Sequence, residues 1–330
     1  MCNGSIMDKL VSFALPLMLS GILQLMFNAV DIIVVGRFSG SEALAAVGST
    51  TALINVFTNL FIGISLGANV LAARFFAAGR KEEMSETVHT SITLALISGI
   101  LMAFVGLVFS KGALELMGTP EDVIGLSTLY MRIYFMGMPF FMLYNYGAAI
   151  LRAVGDTKRP LYFLIIAGVI NAGLNMVLVI VFGLGVAGVG IATVFSQMVS
   201  CVLVLTCLCR TEGSYKLSFS KLSMKGYYLK QIFQVGIPAG IQSTVINFSN
   251  ALLQSSVNSF GSTAMAGYTA ANNILGFLYV SINSVTQACM SFTSQNFGVG
   301  KYKRMDRVLI DCMILSVGAA LVLGCGAYFF

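Results

Sequence analysis

The sequence predicts an all-α integral membrane protein, and three observations support that prediction. Of the 330 residues, 57% are hydrophobic and only 10% are charged, whereas a soluble globular domain carries about 25% charged residues. Apolar runs of about 20 residues, the length that a helix needs to cross a bilayer, recur along the whole chain. These runs lack the alternation of polar and apolar residues that is typical of membrane β-strands.

The apolar runs divide the chain into nine predicted transmembrane helices, separated by short polar or glycine-rich breaks. The predicted helices cover residues 10–36, 43–78, 84–110, 121–151, 160–182, 187–210, 227–260, 264–299 and 304–328. Pro16, Pro139 and Pro238 fall inside helices and are expected to kink them, because proline lacks the backbone N–H that a helix uses. The first run is too long for a signal peptide, so we interpret it as a retained helix.

The distribution of basic residues predicts the orientation of the chain. With a cytoplasmic N-terminus, 16 of the 19 Lys and Arg residues fall in cytoplasmic loops. These are Lys9, Arg74, Arg80, Lys81, Arg152, Lys158, Arg159, Arg210, Lys216, Lys221, Lys225, Lys230, Lys301, Lys303, Arg304 and Arg307. Only Arg37 and Lys111 fall outside, and Arg132 lies within a helix. The bias follows the positive-inside rule, so the net charge of +6 is interpreted as a topology signal and no nucleic-acid partner is expected.

An internal repeat predicts two similar halves. Residues 40–84 resemble residues 261–305 at an offset of 221, with identities that include Gly79/Gly300 and Met84/Met305. Six predicted helices separate the copies, so both have the same orientation, and paired halves with a pathway between them are typical of transporters. We therefore predict an N-terminal six-helix lobe with a cytoplasmic linker at 1–215, and the first half of a second lobe at 216–330. Nine helices do not complete two such lobes, so we expect a fragment that lacks about three helices.

Asp31 is the acidic residue that lies deep in an apolar stretch, and it is the leading candidate for chemistry. A carboxylate near the middle of a membrane costs about 3 kcal/mol, so it is usually retained for function. Burial favours its protonated form and a nearby cation favours its ionised form. Exchange of a proton or Na⁺ at Asp31 is therefore one interpretation, and a structural ion pair with Arg37 is the other.

Further polar residues could contribute to a cation site or a substrate path. Asn171 and Asn175 lie four residues apart and hence on one helical face. Their amide oxygens suit a hard cation, although the spacing alone favours the other interpretation, hydrogen bonding between helices. Thr193 could add a hydroxyl. Four more polar residues could face a central cavity: Gln24, Asn28, Asn145 and Tyr146.

The sequence gives little support for enzymatic activity or for a bound cofactor. There is no Walker A motif and no Ser/His/Asp set, so we expect neither ATP hydrolysis nor another enzymatic activity. The seven cysteines lie mostly in or beside apolar runs and are interpreted as core residues. His89 is the only histidine and lies near a basic loop, where we expect it to be solvated or interfacial. No cofactor and no metal are expected, apart from Na⁺ at Asp31.

Several motifs together resemble the multidrug and toxic compound extrusion (MATE) family, within the superfamily that also holds lipid-linked oligosaccharide flippases. They agree with the family in order and spacing over essentially the whole chain. The motifs are Ala14-Leu-Pro16, Asn28-Ala-Val-Asp31, Val35-Gly36-Arg37, Ala43-Leu-Ala-Ala-Val-Gly48, Ala77-Ala-Gly79-Arg80, Leu151-Arg-Ala-Val-Gly-Asp-Thr-Lys-Arg-Pro160 and Gly236-Ile-Pro-Ala-Gly-Ile-Gln242.

The resemblance implies twelve helices in two six-helix lobes and export of organic cations in exchange for Na⁺ or protons. It also implies a cation site in the N-terminal lobe that corresponds here to Asp31, Asn171, Asn175 and Thr193. Asn175 stands where many relatives carry Asp, so the site keeps one carboxylate and its coupling ion is open. The predicted helix 227–260 has no acidic residue, so Asp31 is expected to carry most of the coupling.

We therefore predict a plasma-membrane (inner-membrane) antiporter that exports cationic or amphiphilic drugs, with a cytoplasmic N-terminus and a monomeric state. The first alternative is a flippase for a lipid-linked sugar, which would need a basic cavity, yet Arg132 is the only basic residue far from the ends of a predicted helix. The second alternative is a channel or a scaffold without transport activity. The internal repeat and the membrane-embedded Asp31 favour the antiporter over the channel.

Overall fold

Every regular element that the computed structural model describes is helical. The structure describes residues 1–258 and 262–329. The α-helices in these ranges are α1 Ile6–Phe38, α2 Ser41–Ala77, α3 Lys81–Leu116, α4 Glu121–Met136, α5 Met138–Ala153, α6 Lys158–Asn175, α7 Gly185–Arg210, α8 Gly226–Asn258, α9 Ser262–Gly298 and α10 Tyr302–Phe329. A π-helix, Met176–Val181, continues α6, and a 3₁₀ turn, Phe219–Lys221, lies between α7 and α8.

The fourth predicted helix differs from the structure, because residues 121–151 form two helices. α4 ends at Met136 and α5 begins at Met138. Pro139 has no N–H to continue the ladder of hydrogen bonds, and the Gly137 N–H bonds the Tyr134 carbonyl at 3.0 Å in a tightened turn. A Cβ on Gly137 would lie 2.8 Å from Gln197 Oε1. The proline therefore breaks the helix where a glycine lets α7 approach.

Six helical stretches among the described residues are long and apolar enough to cross a membrane. They are Ile6–Phe38, Ser41–Ala77, Lys81–Leu116, Lys158–Val181, Gly185–Arg210 and Tyr302–Gly326. α8 and α9 have comparable lengths, 33 and 37 residues, but carry more polar residues. The set is typical of a multi-pass membrane protein, and the count of nine spans stays a prediction.

The last three helices repeat the spacing of the first three. α2 and α9 are both 37 residues long. Gly79 and Gly300 both adopt a left-handed backbone, with φ of 69° and 72°, just after these helices end. This conformation suits glycine, which has no Cβ to clash. The helix bounds thus recur at the predicted offset, while residues 259–261, including Gly261 of the repeat, lie outside the described ranges. The two lobes stay a prediction.

α2 and α8 cross at backbone distance through two pairs of glycines. A Cβ on Gly63 would lie 2.3 Å from Gly240 Cα, and a Cβ on Gly67 would lie 2.2 Å from the Ile232 carbonyl oxygen. Gly236 is equally confined, because its Cβ would lie 2.5 Å from Ile64 Cα. Small residues four apart allow close packing of helices in membranes, so this glycine seam (Gly63, Gly67, Gly236 and Gly240) joins the first part of the chain to the last.

Polar contacts also join the first part of the chain to the last, near the start of α1. Ser291 Oγ donates to Asn69 Oδ1 at 3.0 Å, and Asn69 Nδ2 donates to the Ala149 carbonyl at 2.8 Å. Lys301 Nζ donates to the Asn3 side chain at 2.7 Å. Arg304 Nη2 donates to the Gly4 carbonyl at 2.7 Å. We call the contacts of residues 1–4 with Lys301 and Arg304 the N-terminal clasp.

His89 is buried within the protein, so the expectation that it is solvated is wrong, while a position at the depth of the membrane interface stays a prediction. Its side chain is 2% exposed on α3. Its Nδ1 lies 2.7 Å from the Ser85 carbonyl oxygen, and its Nε2 accepts the backbone N–H of Ser218 at 3.2 Å. The segment between α7 and α8 covers the imidazole ring. The sequence places this segment in a loop but does not indicate that the loop packs over His89.

Candidate cation-binding site

Asp31 lies on α1, seven residues before the helix ends at Phe38, and its side chain is 8% exposed. Among the described residues, no Lys, Arg or His lies within ion-pair distance of its carboxylate. The alternative interpretation, a structural pair with Arg37, is therefore not seen. A buried carboxylate without a cationic partner retains the capacity to bind a proton or a metal cation.

α6 lies beside α1 and presents one face to it. Gly168, Asn171 and Asn175 follow each other at three- and four-residue spacing and so share a helical face. A Cβ on Gly168 would overlap the ring of Phe27 on α1, at 1.7 Å from Cζ. Both asparagines are buried, with exposures of 5% for Asn171 and 0% for Asn175. Because Gly168 has no side chain, α6 can approach α1 closely enough for Asn175 to reach Asp31.

Asn175 connects Asp31 with Asn171. Its Nδ2 donates one short hydrogen bond to Asp31 Oδ1 and another to Asn171 Oδ1 at 3.2 Å. Both amide hydrogens are thereby used, and the two acceptors fix the orientation of the amide. The structure therefore brings together three of the four predicted cation-site residues.

The amide oxygen of Asn175 is buried and has no hydrogen-bond partner among the residues that the structure describes. An unpartnered buried acceptor is costly, and such atoms in a native structure often mark a functional site. A carbonyl-type oxygen next to a carboxylate is a ligand for a hard cation and an acceptor for a proton donor. The pair can thus bind a small cation, with Asp31 supplying the negative charge.

The backbone changes its winding directly after Asn175. Met176–Val181 forms a π-helix, and the Phe182 N–H bonds the Val177 carbonyl at 3.1 Å. π-helical turns are rare and occur frequently at functional sites, because the extra residue in the turn shifts neighbouring side chains. The sequence shows no signal for this turn.

Thr193 does not join the hydrogen-bonded group. It lies on α7, which packs against α6, and its hydroxyl donates to the Val189 carbonyl of its own helix at 2.9 Å. A helical threonine commonly makes this bond when no other acceptor competes. In the described structure Thr193 has no hydrogen bond to Asp31, Asn171 or Asn175, and its part in a cation site stays a prediction.

The four predicted path residues fall on two helices. Gln24 and Asn28 are exposed on α1, at spacings that place them on the same side as Asp31. Asn145 and Tyr146 lie on α5, which packs against α2, α3 and α7. Asn145 Nδ2 bonds the Phe141 carbonyl at 2.8 Å, whereas the buried Tyr146 hydroxyl has no hydrogen-bond partner within the described ranges. A shared path stays a prediction.

Two tyrosines near Asp31 were not predicted. Tyr130 and Tyr134 on α4 both lie within electrostatic range of its carboxylate. They are one helical turn apart, the spacing of a common helical face. Nothing in the sequence distinguishes them from the many tyrosines that lie at membrane boundaries.

Clustered metal ligands are not the basis of this site. In residues 1–258 and 262–329, no group of three or more His, Cys, Asp or Glu side chains could hold a metal ion. A cation at Asp31 would therefore depend on one carboxylate and on neutral oxygen ligands. Such a site has low charge, which weakens Na⁺ binding relative to a site with two carboxylates.

Known proteins similar to this chain include a probable multidrug resistance protein and a transporter. The chain is 33% identical over 314 residues to "Probable multidrug resistance protein YoeA" of Bacillus subtilis, and the alignment covers 92% of the chain and 67% of the relative. It is 24% identical over 308 residues to a FAD transporter of Shewanella oneidensis, covering 91% of the chain and 67% of that protein.

Solved structures share the fold. A crystal structure of MATE in the straight conformation matches with a TM-score of 0.90 at 23% identity, over 98% of this chain and 72% of that one. The family model MatE matches residues 16–177 and 238–330. These ranges include Asp31, Asn171 and three residues of the glycine seam. The chain therefore belongs to the MatE family of multidrug and toxic compound extrusion transporters, and it is a multi-pass membrane protein.

Proposed function

We propose that the protein is a secondary antiporter that exports cationic or amphiphilic drugs in exchange for protons or Na⁺ bound at Asp31. The observation that carries the proposal is the buried Asp31 carboxylate, which has no cationic partner among the described residues and accepts a hydrogen bond from Asn175. The relatives named for multidrug resistance support the substrate class. Asn171, Asn175 and Thr193 would complete the cation site, and Gln24, Asn28, Asn145 and Tyr146 would line the substrate path.

Coupling requires that the cation and the drug favour different arrangements of the protein. A cation that binds at Asp31 stabilises the arrangement that fits it, and a drug stabilises the other, so each ligand lowers the affinity for its counterpart. Neutralisation of Asp31 also removes the charge that attracts a cationic drug. One carboxylate is therefore enough to couple the entry of the cation to the export of the drug.

The proposal includes the architecture and the orientation. Residues 1–215 would form the N-terminal lobe with its linker, and residues 216–330 would begin the second lobe. The N-terminus would be cytoplasmic in the plasma membrane, which follows the distribution of lysine and arginine. The protein would act as a monomer and without ATP.

A second candidate is transport of an anionic molecule. It is favoured by the similarity to a FAD transporter, whose substrate carries a different charge from an organic cation. It has little support from the membrane-embedded residues of this chain, since Arg132 on α4 is exposed and Asp31 is the buried charge on α1. A lipid-linked oligosaccharide flippase meets the same objection.

Uptake of ethidium into everted membrane vesicles that contain the protein tests the function. We expect ethidium to accumulate when a proton or Na⁺ gradient is imposed, and accumulation to cease when an ionophore collapses that gradient. ATP without a gradient should have no effect. Accumulation of FAD but of no cationic dye would favour the second candidate, and equilibration without accumulation would indicate a channel.

A further inference from the structure

The segment that joins α7 to α8, residues 211–225, is held against the helices beside it. Leu217 is 2% exposed, and its N–H bonds the Leu208 carbonyl on α7 at 3.1 Å. The Ser218 N–H bonds His89 on α3, as described above. Lys225 Nζ lies 2.8 Å from Glu86 Oε1 on α3, and this contact raises the pKa of Lys225. The segment therefore folds back along the helices instead of extending away from them.

Its position along α3 places the segment at the boundary of the membrane. α3 has 36 residues, which corresponds to about 54 Å, and the apolar core of a bilayer is about 30 Å thick. The apolar run of α3 begins near Ile92, and His89 lies about one turn before it. Ser218, which bonds His89, is therefore level with the region where lipid headgroups meet the apolar core.

This segment and the first turn of α8 expose aromatic and basic side chains. Phe219 and Tyr227 are 60% and 66% exposed. Lys216 and Lys221 are exposed as well, and in the described structure neither pairs with a carboxylate. Aromatic rings are enriched at membrane interfaces, and clustered lysines near a membrane attract anionic lipids.

We propose that residues 216–227 form an interfacial anchor that binds anionic phospholipid headgroups through Lys216 and Lys221 and inserts Phe219 among the lipids. The charge of the two free lysines selects the anionic headgroup. The buried Leu217 and the His89 contact hold the segment at the depth where Phe219 meets the lipid. The anchor would tie the connection between the two predicted lobes to the membrane surface.

The chain has no tryptophan, so the substitution Phe219→Trp provides a single fluorescent reporter at the proposed anchor. The variant is reconstituted in bilayers of phosphatidylcholine and phosphatidylglycerol in which either one or the other lipid carries bromine, a contact quencher. Because Phe219 is exposed, the substitution should be tolerated. Tyr227→Trp, in a separate variant, provides a second reporter if the first does not fold.

We expect blue-shifted emission that brominated phosphatidylglycerol quenches more strongly than brominated phosphatidylcholine. Lys216→Gln and Lys221→Gln should each reduce this preference about fivefold, the effect of one basic residue near an anionic surface. Lys303→Gln, at another exposed lysine, is the matched control and should leave the preference unchanged.

Four outcomes would overturn the proposal. Emission typical of water, without quenching, would place Phe219 outside the membrane. Blue-shifted emission that no brominated lipid quenches would mean that protein covers the ring. Equal quenching by both lipids would remove the preference for anionic headgroups. Loss of the preference when free glycerol phosphate is added would indicate a site for soluble phosphates.

Discussion

Asn175 on α6 donates a hydrogen bond from its side-chain amide to the Asp31 carboxylate on α1, across 144 residues of sequence. The same amide group donates to Asn171, and its own oxygen has no hydrogen-bond partner in the described part of the chain. The free oxygen and the carboxylate lie at the interface of two helices whose close approach depends on Gly168. This arrangement suggests how Asp31 can be buried and still be available to a small cation.

Asn175→Asp should increase the affinity of the site for Na⁺. The substitution places a second carboxylate next to Asp31, and charge count is a main determinant of affinity for hard cations. We expect Na⁺ to bind on the order of tenfold more tightly than to the unmodified protein, as measured by ²²Na⁺ binding to purified protein. Asn247→Asp is the control, because Asn247 is exposed on α8 and bonds only its own helix at Ser243. Equal Na⁺ affinity in all three proteins would contradict a cation site at Asp31.

Gly63→Ala should destabilise the protein. Its Cβ would meet the Gly240 backbone at 2.3 Å, and overpacking of this kind costs about 1–3 kcal/mol. Gly48→Ala on the same helix has open space around its Cβ and should be neutral or slightly stabilising. Thermal unfolding can be followed with a thiol-reactive dye, because Cys201 and Cys312 are buried and free. If both substitutions shift the midpoint equally, the glycine seam does not determine the packing of α2 on α8.

Arg304→Ala should weaken the N-terminal clasp and loosen the packing of α1 against α9. The substitution removes the hydrogen bond to Gly4, and a bond from a charged donor contributes about 1.5–3 kcal/mol. In a background without other cysteines, Ala288→Cys reports opening, since Ala288 is 0% exposed on α9. We expect its labelling by a membrane-impermeant maleimide to become about tenfold faster. Lys303→Ala, next to Arg304 but outside the clasp, should not change the rate, and a faster rate there would indicate a general loss of stability.

Much of this arrangement could be predicted because its signals are local. Asp31 stands out as a carboxylate within an apolar run, and the spacing of Asn171 and Asn175 gives their common face. The remaining features depend on packing between distant segments. Composition and periodicity give no signal for three of these features. They are the π-helix after Asn175, the Thr193 bond to its own helix and the burial of His89 under the segment before α8. The break at Gly137 was predicted only in part, because Pro139 indicated a kink within one helix and not a division into two helices.

Ethidium efflux from cells that express the protein, with and without Asp31→Asn, tests the central claim most directly. The substitution keeps the size of the side chain and the capacity to accept a hydrogen bond from Asn175, but it removes the group that binds a cation. Asp8→Asn, at an exposed position on the same helix, is the matched control. We predict that the unmodified protein and the Asp8 variant export the dye and that the Asp31 variant, at equal abundance in the membrane, does not. Equal efflux by all three proteins would contradict the claim that Asp31 couples transport to a cation.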